Sequence, residues 1–89
     1  MLFQVYTEDV NRTAITRILD AHFQSYTLVP AQGHWEGIAE PSLIAEIETD
    51  DRAQVDTAAQ EIRTANHQQA VLVEAIPSTS ELITAQGGN

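Results

Sequence analysis

The spacing of hydrophobic and polar positions changes along this chain, and each change marks an element. From Leu2 to Thr7 the apolar positions alternate. Phe3 and Val5 face one way while Leu2, Gln4 and Tyr6 face the other, as in a half-buried strand. Glu8-Asp9-Val10-Asn11 reads as a turn and helix cap, in which Asp9 or Asn11 can accept from the free amides of the first turn. Ala14, Ile15, Ile18, Leu19, His22 and Phe23 then recur at helical spacing and predict a helix over residues 11–24. Residues 25–29, rich in β-branched and aromatic side chains, predict a second strand, and Pro30 suits its edge or a bulge. Residues 42–48 alternate again: Leu43, Ala45 and Ile47 point in, and Ile44, Glu46 and Glu48 point out. Asp50-Asp51 with Gln54 makes a capping box. It opens a second helix with an inner stripe of Val55, Ala58, Ala59, Ile62 and Ala65, ended by Asn66 or His67. Residues 70–76 form the last strand, with Val71, Val73 and Ala75 inward, and Pro77 stops it. Ser78 and Glu81 suit the cap and third position of a short final turn over residues 80–84.

The order is β-α-β-β-α-β. With right-handed crossovers it predicts an α+β, ferredoxin-like sandwich: a four-stranded antiparallel sheet with two helices on one face. Residues 1–84 are expected to form a single domain and residues 85–89 a flexible tail. Because the helices cover one face only, the other would carry Leu2, Tyr6, Ile44 and Leu72 among Gln4, Glu46 and Glu74. Apolar surface left in water costs about 25 cal/mol per Å². Tyr6, Ile44 and Leu72 are therefore the expected interface of a homo-oligomer, either dimer or trimer.

Composition strengthens that expectation. A chain of 89 residues buries only about 60–70% of its unfolded surface. With no cysteine for disulfides or thiolate sites, oligomerisation is the remaining route to added stability. The formal charge is −9, lysine is absent, and the cations are Arg12, Arg17, Arg52 and Arg63. Such a chain is repelled by phosphates and anionic lipid, so neither nucleic acid nor membrane is an expected partner. A nucleic-acid mimic would array its carboxylates over one face, whereas here they scatter through every segment. The N-terminal residues carry no basic leader, and no stretch approaches the roughly 20 apolar residues of a membrane span. A soluble, cytoplasmic protein is expected.

The element order, the small size and a hairpin standing beyond the sheet resemble the PII-like and CutA-like proteins. That resemblance implies a ferredoxin-like trimer whose long hairpins and intersubunit clefts bind nucleotides, small anions or metals. The second half, roughly residues 25–75, also resembles an uncharacterised family of small bacterial domains. The matching residues are Gly33, His34 and Trp35, then Glu40, Pro41 and Ser42, then Gln69, Ala70, Val71 and Leu72. This chain departs from PII proteins in two ways. About ten residues separate the middle strands, too few for a long effector loop, and the basic residues that grip nucleotide phosphates have no counterpart.

Candidate chemistry gathers in GHWEGIAEPS, residues 33–42, which holds the sole Trp, two of the four Gly and one of the three His. Gly33 can supply a bulge, Gly37 a turn at positive φ, and Pro41 the return. Trp35 can pack across the hairpin on Ile38 or Ser42, anchor an interface, or stack on a ligand. His34, Glu36 and Glu40 are the groups able to bind or move protons. His34, Trp35, Glu36, Glu40 and Ser42 are thus the candidate contact residues for a small-molecule or protein partner. No motif supports a metal site or a cofactor, and no residue is assigned a catalytic role. The expected function is that of a small acidic, oligomeric binding or regulatory protein of PII-like fold. It would act through the hairpin and an intersubunit cleft. The alternatives are an acidic protein-binding inhibitor and a small enzyme with Tyr26, His22 and Glu40 as acid–base groups. His22 reads first as a boundary residue of its helix, and His67 as a cation at a helix C-terminus. A polar cluster of Tyr6, Glu8 and Gln69 is expected at the rim of the sheet.

Overall fold

The computed structural model describes residues 1–85. Its elements are β1 (Leu2–Glu8), α1 (Arg12–His22), β2 (Thr27–Trp35), β3 (Ile38–Glu48), α2 (Arg52–Ala65) and β4 (Leu72–Ile76). The strands form one antiparallel sheet in the order β2-β3-β1-β4. This is the ferredoxin-like α+β arrangement that the periodicity predicts.

The core follows the alternation residue by residue. Phe3, Val5, Leu43, Ala45 and Ile47 from the sheet are sealed against Ile15 and Leu19 of α1 and Val55, Ala59 and Ile62 of α2. Small side chains at Ala58 and Ala59 let α2 lie close on the strands, and both are buried. Asn11 caps α1 by accepting from the Ala14 amide at 3.2 Å, which leaves Asp9 free to pair with Arg12 at 2.5 Å. Asp51 caps α2 through the Gln54 amide at 3.0 Å. The reciprocal half of the expected capping box is not made. The Gln54 side chain donates instead to the His22 carbonyl, tying the two helices together, and Thr49 Oγ1 accepts from the Asp51 amide at 3.2 Å. Beyond α2, Asn66 is the cap, and His67 turns the chain at φ 55° in the left-handed position that closes many helices.

Three expectations change. The second strand does not stop at Val29; it runs on to Trp35, in continuous register with β3 from Thr27↔Glu46 to Trp35↔Ile38. The connection is therefore a two-residue turn, with Glu36 at φ 50° and Gly37 at φ 80°. Two positive φ values in a two-residue loop are the type I′ geometry, whose twist matches paired strands. Gly33 is consequently no bulge: it sits opposite Glu40, and a Cβ there would lie 2.6 Å from Ser42 Oγ. The predicted turn over residues 80–84 is absent, and residues 77–85 take no regular structure. One helical turn with no surface to pack on cannot offset the cost of nucleating it. Residues 86–89, most of the expected tail, lie outside the described residues.

Pro30 falls on β2, an edge strand, where its missing amide does little harm. The β1–β3 pairing ends near Glu8↔Ser42, with one further hydrogen bond from the Asp9 amide to the Pro41 carbonyl at 3.0 Å. Past that point residues 33–40 continue as a two-stranded ribbon, about 10 Å long at 3.4 Å per residue. The Cα radius of gyration is 14.5 Å with a long axis of 53 Å, against about 12 Å for a compact chain of this size.

Candidate functional site

Register sorts the hairpin side chains onto two faces. Residues paired across antiparallel strands share a face, and neighbours along a strand alternate. Leu43 and Ala45 lie under the helices, so their partners Pro30 and Leu28 do as well. Continuing outward, the pairs Gln32↔Pro41 and His34↔Ala39 follow the same side. The opposite face carries Val29↔Ile44, Ala31↔Ser42, Gly33↔Glu40 and Trp35↔Ile38. Trp35, Glu40 and Ser42 thus share the helix-free face, His34 lies on the other face of the ribbon, and Glu36 forms the turn. His34 and Glu40 do not converge. Among the described residues, no three His, Asp or Glu side chains gather as metal donors.

On the helix-free face the ribbon runs into the sheet body without a break. Ile44 sits opposite Tyr6, and Tyr6 opposite Leu72. Trp35 is 60% exposed, Ile38 68% and Leu72 59%, while Tyr6 and Ile44 are half-buried. Between them runs a polar row: Tyr6 Oη donates to Gln4 Oε1 at 3.0 Å and lies 3.4 Å from Glu74 Oε1, and Gln4 Nε2 donates to Glu46 Oε2 at 3.0 Å. Desolvation, reinforced by Glu74, raises the Tyr6 phenol above its ordinary value. All four arginines lie on the helices, and the carboxylates Glu8, Glu40, Glu46, Glu48 and Glu74 lie on the helix-free face.

The acid–base groups weighed for an enzyme are held apart. His22 at the end of α1 pairs through Nε2 with Glu61 of α2. Tyr26 Oη donates to Asp20 Oδ1 at 2.7 Å, and burial together with Asp20 pushes its phenol up to about 12. Both belong to the helix layer, whereas Glu40 points from the opposite face. The polar cluster expected around Tyr6, Glu8 and Gln69 has different members. Thr7 donates to Gln68 Oε1. Asn66 Nδ2 reaches Gln68 Oε1 at 2.9 Å, Thr7 Oγ1 at 3.2 Å and the Glu8 carbonyl at 3.3 Å. Arg63 holds the Gln68 carbonyl at 3.1 Å. Thr7 was the available signal: it follows Phe3 and Val5 in the inward phase, and a buried hydroxyl requires a partner. The cluster staples the end of α2 to the end of β1.

Among the described residues, two grooves lie beside the helices. One is a shallow trough along α1 beside Arg12, Thr16, Arg17 and Asp20. The other, about 150 Å³, lies between α2 and the edge of β4.

The element order and the half-clothed sheet define a ferredoxin-like α+β fold, and solved structures share it. It is similar to a DUF3240 family protein from Shewanella baltica OS155, with 12% identity over 94% of each chain and a TM-score of 0.71. It is also similar to CPII, a nitrogen regulatory PII-like protein from Thiomonas intermedia K12 bound to ADP, AMP and bicarbonate. There the identity is 14%, over 91% of this chain and 93% of that one, with a TM-score of 0.64. At these identities what is shared is the fold. No family model and no curated protein matches the sequence. Among the described residues no helix is long and apolar enough to cross a membrane.

Proposed function

We propose that this chain is a small homo-oligomeric binding or regulatory protein. In this reading it self-associates through the helix-free sheet face at Tyr6, Ile44 and Leu72, and it captures its ligand or protein partner with the ribbon arm. Trp35 is the anchor, flanked by Glu40 and Ser42 on the same face and by His34 and Glu36 at the rim. The observation that carries the reading is that one helix-free face holds two groups of uncovered apolar side chains, Leu72 with Tyr6 and Ile44 on the sheet and Ile38 with Trp35 at the end of the arm, with Ser42 and Glu40 between them. Two-stranded ribbons are marginal alone in water, and an exposed Trp at the end of one is the residue type that anchors interfaces and stacks on ligands. PII-like CPII binds adenine nucleotides and bicarbonate. Here the arm carries carboxylates and no arginine, which favours a neutral or cationic ligand, or a protein surface, over a phosphate-bearing one.

Trp35→Ala is the test. The variant should keep the wild-type circular dichroism spectrum and oligomeric mass, and should lose the small molecule or protein that co-purifies with wild type in native mass spectra. A variant that unfolds or dissociates would make Trp35 a structural residue and remove the ligand site from the arm.

A further inference from the structure

The face opposite the helices is not the only uncovered apolar surface. After Pro77 the chain leaves β4 and crosses the end of β1 toward β3, where Ser78 Oγ reaches Glu48 Oε2 at 3.0 Å. The register explains the direction, because Ile76 and Glu48 flank Leu2 from its two sides. Residues 80–84, Ser-Glu-Leu-Ile-Thr, are thereby carried away from the free edge of their own β4. They hold Leu82 at 88% exposure and Ile83 at 80%, the two most exposed large apolar side chains among the described residues.

The free edge of β4 offers what this segment lacks. β4 pairs only with β1, so its outer backbone groups are unpaired, and it carries none of the proline or lysine that protects an edge. On its helix side lies the groove formed by Asp56, Ala59, Gln60, Arg63, Val71 and Val73. On the other side lies exposed Leu72.

We propose that residues 80–84 of one copy add as a fifth strand to the free edge of β4 in a second copy. Consecutive strand residues point to opposite faces, so one added strand covers both sides of the edge. Ile83 enters the Ala59–Val71–Val73 groove, Glu81 on the same face meets Arg63, and Leu82 lies beside Leu72. The segment matches the five residues of β4 in length, and Arg63 gives the groove the cation that Glu81 complements. The donated segment and the receiving edge are different surfaces, so the contact is heterologous and forms a ring where the rotation between copies closes. It rests on the self-association proposed above and specifies a second contact for it.

The chain lacks cysteine, so single thiols report cleanly. Leu72→Cys and Leu82→Cys chains are mixed, allowed to exchange, and treated with a short bis-maleimide. A covalent pair should form in at least ten-fold excess over either chain alone, and a mixture of Leu82→Cys with Asp20→Cys should stay at background. A chain ending after Thr79 should associate at least ten-fold more weakly with its circular dichroism spectrum unchanged. A wild-type oligomer in light scattering with no 72–82 product overturns the strand exchange and leaves self-association standing. A wild type that is monomeric at tens of micromolar overturns both.

Discussion

The two faces of the sheet are written in the same alternating code but differ in what meets them. On one face Phe3, Val5, Leu43, Ala45 and Ile47 are buried under helices from the same chain. On the other, Tyr6, Ile44 and Leu72 have similar chemistry and nothing above them, and the ribbon extends that face outward to Trp35. Alternation therefore specifies two apolar surfaces, while the described residues supply cover for only one. The helix-side face has its stability built in. On the bare face that free energy, about 25 cal/mol for each Å², would be gained only on covering by a further surface.

Substitutions at adjacent residues break this comparison most sharply. Leu43 and Ile44 are neighbours on β3 facing opposite ways. Leu43→Ala opens a cavity in the sealed face and should lower unfolding free energy by about 2–5 kcal/mol in denaturant titrations. Ile44→Glu leaves that core intact and places a third carboxylate near Glu46 and Glu74. In an interface it buries an unpaired charge, so association should weaken by several kcal/mol while the monomer keeps its spectrum. If Leu43→Ala and Ile44→Glu destabilise the isolated chain equally, the distinction between the faces fails.

pH provides a gentler probe of the covered side. Burial and Asp20 raise the Tyr26 phenol to about 12 from an ordinary value of 10.0. The folded chain thus holds that proton more tightly than the unfolded chain. Its contribution is complete below pH 10 and declines as pH rises from 10 toward 12. Thermal melts across that range should show falling stability, and Tyr26→Phe should flatten the decline. The smallest effect belongs to the ribbon's turn. Glu36 holds φ 50° with a branched-free but non-glycine side chain, where asparagine is the better fit for type I′ geometry. Glu36→Asn should stabilise the arm by roughly 0.5 kcal/mol, a fraction of the roughly 1–3 kcal/mol that such backbone strain costs, and reduce amide exchange in residues 33–40.

How much was legible in the sequence depended on period. Phe3/Val5, Leu43/Ala45/Ile47 and Val55/Ala58/Ala59/Ile62 declared their elements because burial imposes a repeat of two or 3.6. The length of β2 was hidden because residues 31–35, Ala-Gln-Gly-His-Trp, lie on a ribbon exposed on both faces and carry no alternation. Gly33 within it and Gly37 just beyond it read as loop, although of the two only Gly37 takes a positive φ. The consequence for the candidate site is large: the ladder, invisible in the sequence, separates His34 from Glu40. The Thr7–Asn66–Gln68 cluster joins residues about 60 positions apart, a pairing that no local pattern encodes.

Coverage of the bare face by another copy is the deciding property, and Trp35 is the sole tryptophan with which to watch it. Sedimentation of wild type at tens of micromolar, read together with Trp35 emission, measures mass and the wetness of the arm at once. A dimer or trimer that dissociates on dilution, or on Ile44→Glu substitution, with the native spectrum kept, is the predicted result. A monomer at every concentration, its emission that of water-exposed indole throughout, would contradict it.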